Sequence, residues 1–328
     1  MSFDTPHHKP CSICHSRPAN KTNSHLIPSF FIAMVSSIDD SYRRDKELLF
    51  TIGDRATTAY IGRSVREDEL LHIFNNLSED RLDRMTKLSA AKDYIFCSHC
   101  EKKIGEYLES PWHDYLFEGR RTPADTAYFF WVSLLWRISA FEGLSLKLPT
   151  HIEEGLRKRL NAFINAKDNQ DETTQLMIKA PFIYKVLYCK DFSRKNAGII
   201  YYEYDRKSKI ATLLLGDVAA CFNFHKHGSF DGHSFYGLEN SFAEAPVNDG
   251  SKIEDIVFIS DSVLEKTVNQ ILAKCQTNRL NSDRANILFM WKLVREKLGI
   301  PLPIKPDEVF LRYVILELNS DSAKIGEC

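Results

Sequence analysis

Four of the eight cysteines come as two C-x-x-C pairs, Cys11-Ser12-Ile13-Cys14 and Cys97-Ser98-His99-Cys100. Zinc takes four thiolate or imidazole ligands in a tetrahedron, and each pair supplies one edge of it. Paired spacing in a chain without a secretory signal favours a metal over disulfides. Cys11, Cys14, Cys97 and Cys100 are therefore the expected ligands of one structural zinc, with His15 and His99 as alternative imidazole donors. The remaining cysteines, Cys189, Cys221, Cys275 and Cys328, stand singly and are expected to be reduced.

The elements that must position these ligands are readable around them. Pro10 precedes the first pair, as a tight knuckle requires, and the second pair follows apolar Tyr94-Ile95-Phe96 and opens a helix-compatible stretch, Glu101 to Leu108. Knuckle, intervening chain, then a helix carrying the second pair on its first turn is the order of a treble-clef zinc finger. The long insertion is tolerable, because doubling a loop costs only about 0.6 kcal/mol. Structural zinc contributes on the order of 10–16 kcal/mol.

Between the pairs lies Ser24-His25-Leu26-Ile27-Pro28, and Glu101 directly follows the last cysteine. A C-x-x-C, then S-H-[IL]-I-P, then C-x-x-C-E resembles the HNH (ββα-metal) endonucleases of the four-cysteine type. It is similar, more closely, to a bacterial group with S-H-I-I-P-K-F and a later C-x-x-C-E. The likeness covers roughly residues 8–117, and the stretch 131–160 shares it. The resemblance implies that zinc holds the fold and that His25 is the general base activating water against a phosphodiester. An imidazole titrates near neutral pH and suits that task. The resemblance also implies that Glu101 helps hold a catalytic Mg²⁺ or Mn²⁺, a hard cation served by carboxylate oxygen. The asparagine that orients the histidine falls within the insertion, where Asn75 and Asn76 are the candidates. Ser24 stands where many members have Asp.

The resemblance makes the chain an HNH-type endonuclease acting on DNA, or less readily RNA, with antiviral defence as an extended role. The rival reading is a non-catalytic zinc module that binds nucleic acid or protein. Lys and Arg number 43 against 44 Asp and Glu, a formal charge of -1, so no global positive field draws the chain to nucleic acid. Arg43, Arg44, Lys46, Arg63, Arg66, Arg81 and Arg84 supply local positive charge, interleaved with acids. The apolar run Ala127–Phe141 contains Arg137 and is too short for a membrane span. Its aromatics, Phe129, Phe130, Trp131 and Trp136, fall at helical spacing and read as core. A cytoplasmic address is expected.

The fold class expected is α+β. An N-terminal HNH-like domain spans 1–120 with its insertion at 38–93, and a helical segment comes next at 121–175. A mixed domain at 176–328 is left to sensing, partner binding or self-assembly. Thr122-Pro123-Ala124-Asp125 and the capping box Thr150/Glu153 mark helix starts. Ile183–Lys190, Gly198–Tyr204, Ile210–Leu215 and Ile253–Ile259 read as strands, while 224–251 reads as loop. Helices are expected over 261–274 and 282–299. His225, Lys226, His227 and His233 read as a solvated loop.

Overall fold

A computed structural model describes residues 9–36, 46–52, 55–61, 91–141, 146–169, 181–196, 198–225, 228–230, 233 and 235–274. Residues 36, 46–52, 55–61 and 91 are described by backbone alone. The chain divides into two compact units, Met1–Ile271 and Leu272–Cys328. The first is a mixed α+β structure. Asn75, Asn76, Lys226, His227, Cys275, Cys328 and the helix expected over 282–299 lie outside the described residues.

In chain order the first elements are strand β1 (Ser24–His25), helix α1 (Ser29–Ser36), and strands β2 (Lys46–Ile52), β3 (Arg55–Ile61) and β4 (Ala91–Lys92). A helical rod comes after them, built of α2 (Ser98–Ile104), a π-helical turn (Gly105–Glu109) and α3 (Ser110–Glu118). Pro111 fits the start of α3, and Gly119 ends the rod in the left-handed region at φ 65°. Helices α4 (Ala124–Ala140) and α5 (Thr150–Asp168) come next. The remainder comprises β5 (Ile183–Tyr188), α6 (Phe192–Lys195), β6 (Ile200–Asp205), β7 (Ile210–Leu215), β8 (Val218–Asn223), α7 (Glu239–Glu244), β9 (Ile256–Phe258) and a helix beginning at 261.

Strands β6, β7, β8 and β5 are antiparallel neighbours, and β9 adds to β5 in parallel. On the other edge the β2–β3 hairpin joins through Phe50 opposite Ile200, giving the order β3-β2-β6-β7-β8-β5-β9. The expected insertion thus supplies two strands to the main sheet.

β7 and β8 are buried along their whole length, because both faces of the sheet are covered. Alternation sends Tyr184, Leu213 and Phe222 to one face, where Phe222 meets Trp131 of α4 at 5.3 Å. The opposite face carries Lys185, Tyr201 and Thr212. It is covered by the segment after β8: Lys185 Nζ donates to Phe242 O at 2.6 Å, Tyr201 packs on Phe235, and Thr212 Oγ1 pairs with His233 Nε2 at 2.9 Å. Helix α4 is apolar all round and buried, as its sequence requires. Trp112 stacks on its Phe130 at 4.3 Å and 7°. No helix among the described residues is long and apolar enough to cross a membrane.

Two helix starts differ in their chemistry from expectation. Pro123 and Pro149 stand at the N-cap positions of α4 and α5, and neither start has a side-chain cap. Thr122 Oγ1 donates to Pro111 O at 2.8 Å, tying the α3–α4 connection together. Glu153 Oε2 accepts from Ser139 Oγ at 2.6 Å, so a tertiary partner replaces the capping box. Strand β8 was not expected. The stretch expected as loop contains α7, and the last strand is confined to Ile256–Phe258.

Candidate metal centre and adjoining polar pocket

Two stretches of chain far apart in sequence are sewn together before any side chain is considered. Cys11 N donates to Arg17 O and His15 N to Cys11 O, folding residues 11–17 into a knuckle with His15 at φ 54°. Ser12 N donates to Ile95 O, Lys21 N to Phe96 O and Tyr94 N to Lys21 O, so the knuckle lies alongside the chain entering the second pair. Cys97 then caps α2, its Sγ accepting from Cys100 N at 3.4 Å. Asn20 Oδ1 accepts from Ser98 N and Ser98 Oγ, satisfying further donors at that helix start. From outside, Arg157 of α5 donates to Ile13 O at 2.7 Å, its guanidinium held by Glu154.

This backbone brings Cys11, Cys14, Cys97 and Cys100 together, their sulfurs all within 4.8 Å of one another. Cys14 and Cys97, 83 positions apart, are 4.0 Å sulfur to sulfur. Zinc–sulfur bonds of about 2.3 Å give tetrahedral edges of about 3.8 Å. A metal such as zinc therefore fits with a contraction of a few tenths of an ångström between Cys14 and Cys97 and of at most about 1 Å between any pair. The cluster is electrostatically primed. Hydrogen bonding from Cys100 draws the Cys11 thiol down to about 4, and the same contact pushes Cys100 upward. Four sulfurs this close share protons until a cation replaces them. His15 is not part of the cluster. His99 turns away to Asp168, with Nε2 at 2.9 Å from Oδ2. Among the described residues the donor set is sulfur alone.

Beside the cluster, Ser24 and His25 of β1 pair with Lys92 and Ala91 of β4. Ser24 is fully buried, and His25 is half-buried. Glu101 occupies the first turn of α2 next to Ser24. Burial raises its carboxyl pKa, while Arg137 and Ser24 pull the other way and Glu109 adds to the rise. Arg137, on α4 and 2% exposed, holds this corner together. It donates to His25 O at 2.9 Å and lies 2.7 Å from Glu109 Oε1.

The π turn explains how two acids of one rod face one arginine. Eight α-helical residues leave positions 101 and 109 about 80° apart around the axis. A π turn takes about one more residue per turn and absorbs most of that difference. Even so, the polar groups here are incompletely matched. Ser24 Oγ, Glu101 Oε2, Glu109 Oε1 and Arg137 Nη2 are buried without a hydrogen-bond partner of good geometry, as is Ser133 Oγ one turn before Arg137, although Glu109 Oε1 has its ion pair with Arg137. Ser24 is near enough to Glu101 to influence its pKa, but the pair does not reach bonding geometry. Buried polar atoms left this way mark a place suited to an ion, water or ligand.

Nothing in the sequence announces Glu109 or the π turn, and the one signal for Arg137 is an arginine inside an apolar helical run. Cys189 and Cys221 are free thiols, the first donating to Asp261 Oδ1 at 3.2 Å. His233 is partly buried against Thr212, not solvated, and burial lowers its pKa. No known protein family, curated protein or solved structure matches the chain.

Proposed function

We propose that the N-terminal region is a treble-clef zinc centre of HNH type and that the chain is a metal-dependent endonuclease. The observation carrying this reading is the buried, incompletely bonded polar cluster of Ser24, Glu101 and Arg137. It adjoins His25 and is held against the cysteine cluster. Zinc in the cysteines would fix β1 against the first turn of α2 without taking part in chemistry. Glu101 Oε2, which lacks a hydrogen-bond partner, is the carboxylate oxygen suited to a hard cation, since Glu109 Oε1 is ion-paired with Arg137 Nη1 at 2.7 Å. A bound Mg²⁺ or Mn²⁺ would neutralise charge developing on the phosphate. His25 would take the proton from the attacking water, and Arg137 fixes the backbone on which His25 stands.

The test is cleavage of plasmid DNA, single-stranded DNA and RNA with Mg²⁺ and with Mn²⁺. His25→Ala is expected to reduce cleavage by about 10²-fold or more, the usual worth of a general base, at unchanged zinc content and melting temperature. Glu101→Ala is expected to raise the divalent-metal concentration needed. Loss of zinc in His25→Ala would make His25 structural and overturn the assignment.

Arg137 also favours a second reading. A guanidinium already paired with Glu109 and close to Glu101 supplies the positive charge that a divalent ion would bring. The centre would then be a rigid scaffold that binds nucleic acid or protein without cutting. Wild-type protein that binds DNA or RNA but cleaves neither, with either metal, selects this reading.

A further inference from the structure

The four clustered cysteines differ in what can reach them. Cys11, Cys97 and Cys100 are 0%, 3% and 1% exposed, whereas Cys14 is half-buried in the knuckle. The residues that follow it, His15, Ser16 and Arg17, are exposed. A small oxidant arriving from solvent therefore meets Cys14 first. Cysteine oxidation follows thiolate character and exposure together. All four sulfurs of a four-cysteine zinc centre are thiolates, so exposure makes the choice among them.

The sulfur placed to answer it is that of Cys97, 4.0 Å from Cys14. Closing that gap to the length of a disulfide asks for a movement of about 2 Å. The backbone holds the two segments side by side without help from a metal. Ser12 N donates to Ile95 O at 2.9 Å, Lys21 N to Phe96 O at 3.0 Å and Tyr94 N to Lys21 O at 2.7 Å. Asn20 Oδ1 accepts from Ser98 N at 2.9 Å, and Arg157 Nη1 donates to Ile13 O at 2.7 Å. Every one of these bonds avoids sulfur. Sulfurs that give up a shared ion thus stay within reach of one another.

We propose that Cys14 and Cys97 are a peroxide-sensitive pair whose disulfide opens the metal centre reversibly. The Cys14 thiolate attacks one oxygen of hydrogen peroxide, the O–O bond breaks, and the departing hydroxide takes a proton to become water. Cys14 is left as the sulfenic acid. The Cys97 thiolate then attacks the Cys14 sulfur and expels a second hydroxide, which is likewise protonated. Two electrons pass from the sulfur pair to the peroxide. Cys11 and Cys100, left as two ligands where structural zinc takes four, each gain a proton as the ion is released. Cys97 caps α2, and Glu101 stands in its first turn, so the same event reaches the polar cluster beside His25. The proposal rests on the zinc part of the reading above and is independent of the nuclease part.

The test begins with the zinc content of the full-length chain. Hydrogen peroxide is then added while a chromophoric chelator records release, and alkylation traps the remaining thiols for intact mass and peptide mapping. Loss of one zinc per chain is expected, with a mass lower by about 2 Da and a disulfide joining the peptides of Cys14 and Cys97. A dithiol reductant with added Zn²⁺ should restore the metal. Cys14→His keeps a zinc-type ligand and should release its zinc at least about tenfold more slowly. Should that variant fail to hold zinc, the wild-type peptide map decides. A disulfide inside either C-x-x-C pair overturns the proposal, as does zinc retained while Cys14 is carried on to the sulfinic acid. So does a release that reductant and Zn²⁺ do not reverse, or equal release from wild type and a zinc-loaded Cys14→His. Zinc-loaded protein inert to peroxide overturns this proposal alone, whereas a chain that takes up no zinc overturns the zinc centre with it.

Discussion

Glu254 is buried to 3% exposure, and among the described residues it makes no ion pair. Its two carboxylate oxygens are claimed by two indoles, Trp131 Nε1 at 2.6 Å and Trp112 Nε1 at 3.2 Å, and its carbonyl accepts from Tyr115 OH at 2.6 Å. Burial pushes its pKa up to about 7, against the downward pull of the indole hydrogen bonds. An unfolded glutamate titrates near about 4.3, so between there and about pH 7 the native state holds the extra proton. This group's contribution is full below the unfolded value and is lost as pH rises through about 7, a swing of roughly 4 kcal/mol over the whole range and somewhat less between pH 5 and pH 8. Urea unfolding at pH 5 and pH 8 is expected to show that loss in the wild type. Glu254→Gln, which cannot ionise, should reduce the difference between the two pH values by a similar amount. Equal differences in both proteins would show that Glu254 does not titrate in this window. None of this was legible in the sequence, because its partners lie 123 and 142 positions away and nothing local sets this glutamate apart. The four-cysteine cluster was legible, because its chemistry is written in a spacing of three.

At the scale of elements, helix α4 was readable from its composition, and strands β5, β6 and β7 from their β-branched and aromatic runs. Strand β8, Val218–Asn223, escaped because VAACFN is short, small-residued and buried on both faces, so it lacks alternation. What fixes its pairing is the turn before it. Gly216 has φ +62°, and a Cβ there would fall 2.6 Å from Met34 Sδ. That sulfur also accepts from Asp217 N at 3.1 Å, so α1 and the β7–β8 turn touch at this point. Gly216→Ala combines a strained backbone with a collision and should cost about 1–3 kcal/mol. The expected readout is a lower urea midpoint at unchanged slope; an unshifted midpoint would mean that Met34 moves aside freely.

At the scale of the molecule, the cysteine cluster is continuous with the main core. One body of buried side chains runs from Cys11 through Trp112 and Trp131 to Phe222. Metal loss is therefore expected to be felt by the whole first unit. Metal analysis of the purified chain should give one zinc per molecule, and Cys97→Ser should lose it. Stripping the metal with a chelator should lower a single melting transition by at least about 5 °C. A separate early transition, with the rest of the protein melting as before, would mean that the cluster is a local staple only. The cysteine cluster's position in sequence was legible, but its attachment was not. Arg157 to Ile13 and Arg137 to His25 are contacts across more than a hundred residues, made by side chains that look ordinary on their helices.

The Glu254 contacts also set an order of events during synthesis. Cys100 leaves the ribosome about 150 residues before Glu254, which at ~5–20 residues per second is roughly 8–30 s. The four clustered cysteines can meet within that interval. Trp112 and Trp131 cannot yet reach the carboxylate that will accept their indole protons, nor can Trp131 meet Phe222. If metal closes the knuckle then, the nascent chain carries it for that time joined to an uncovered aromatic helix, the kind of surface that chaperones hold.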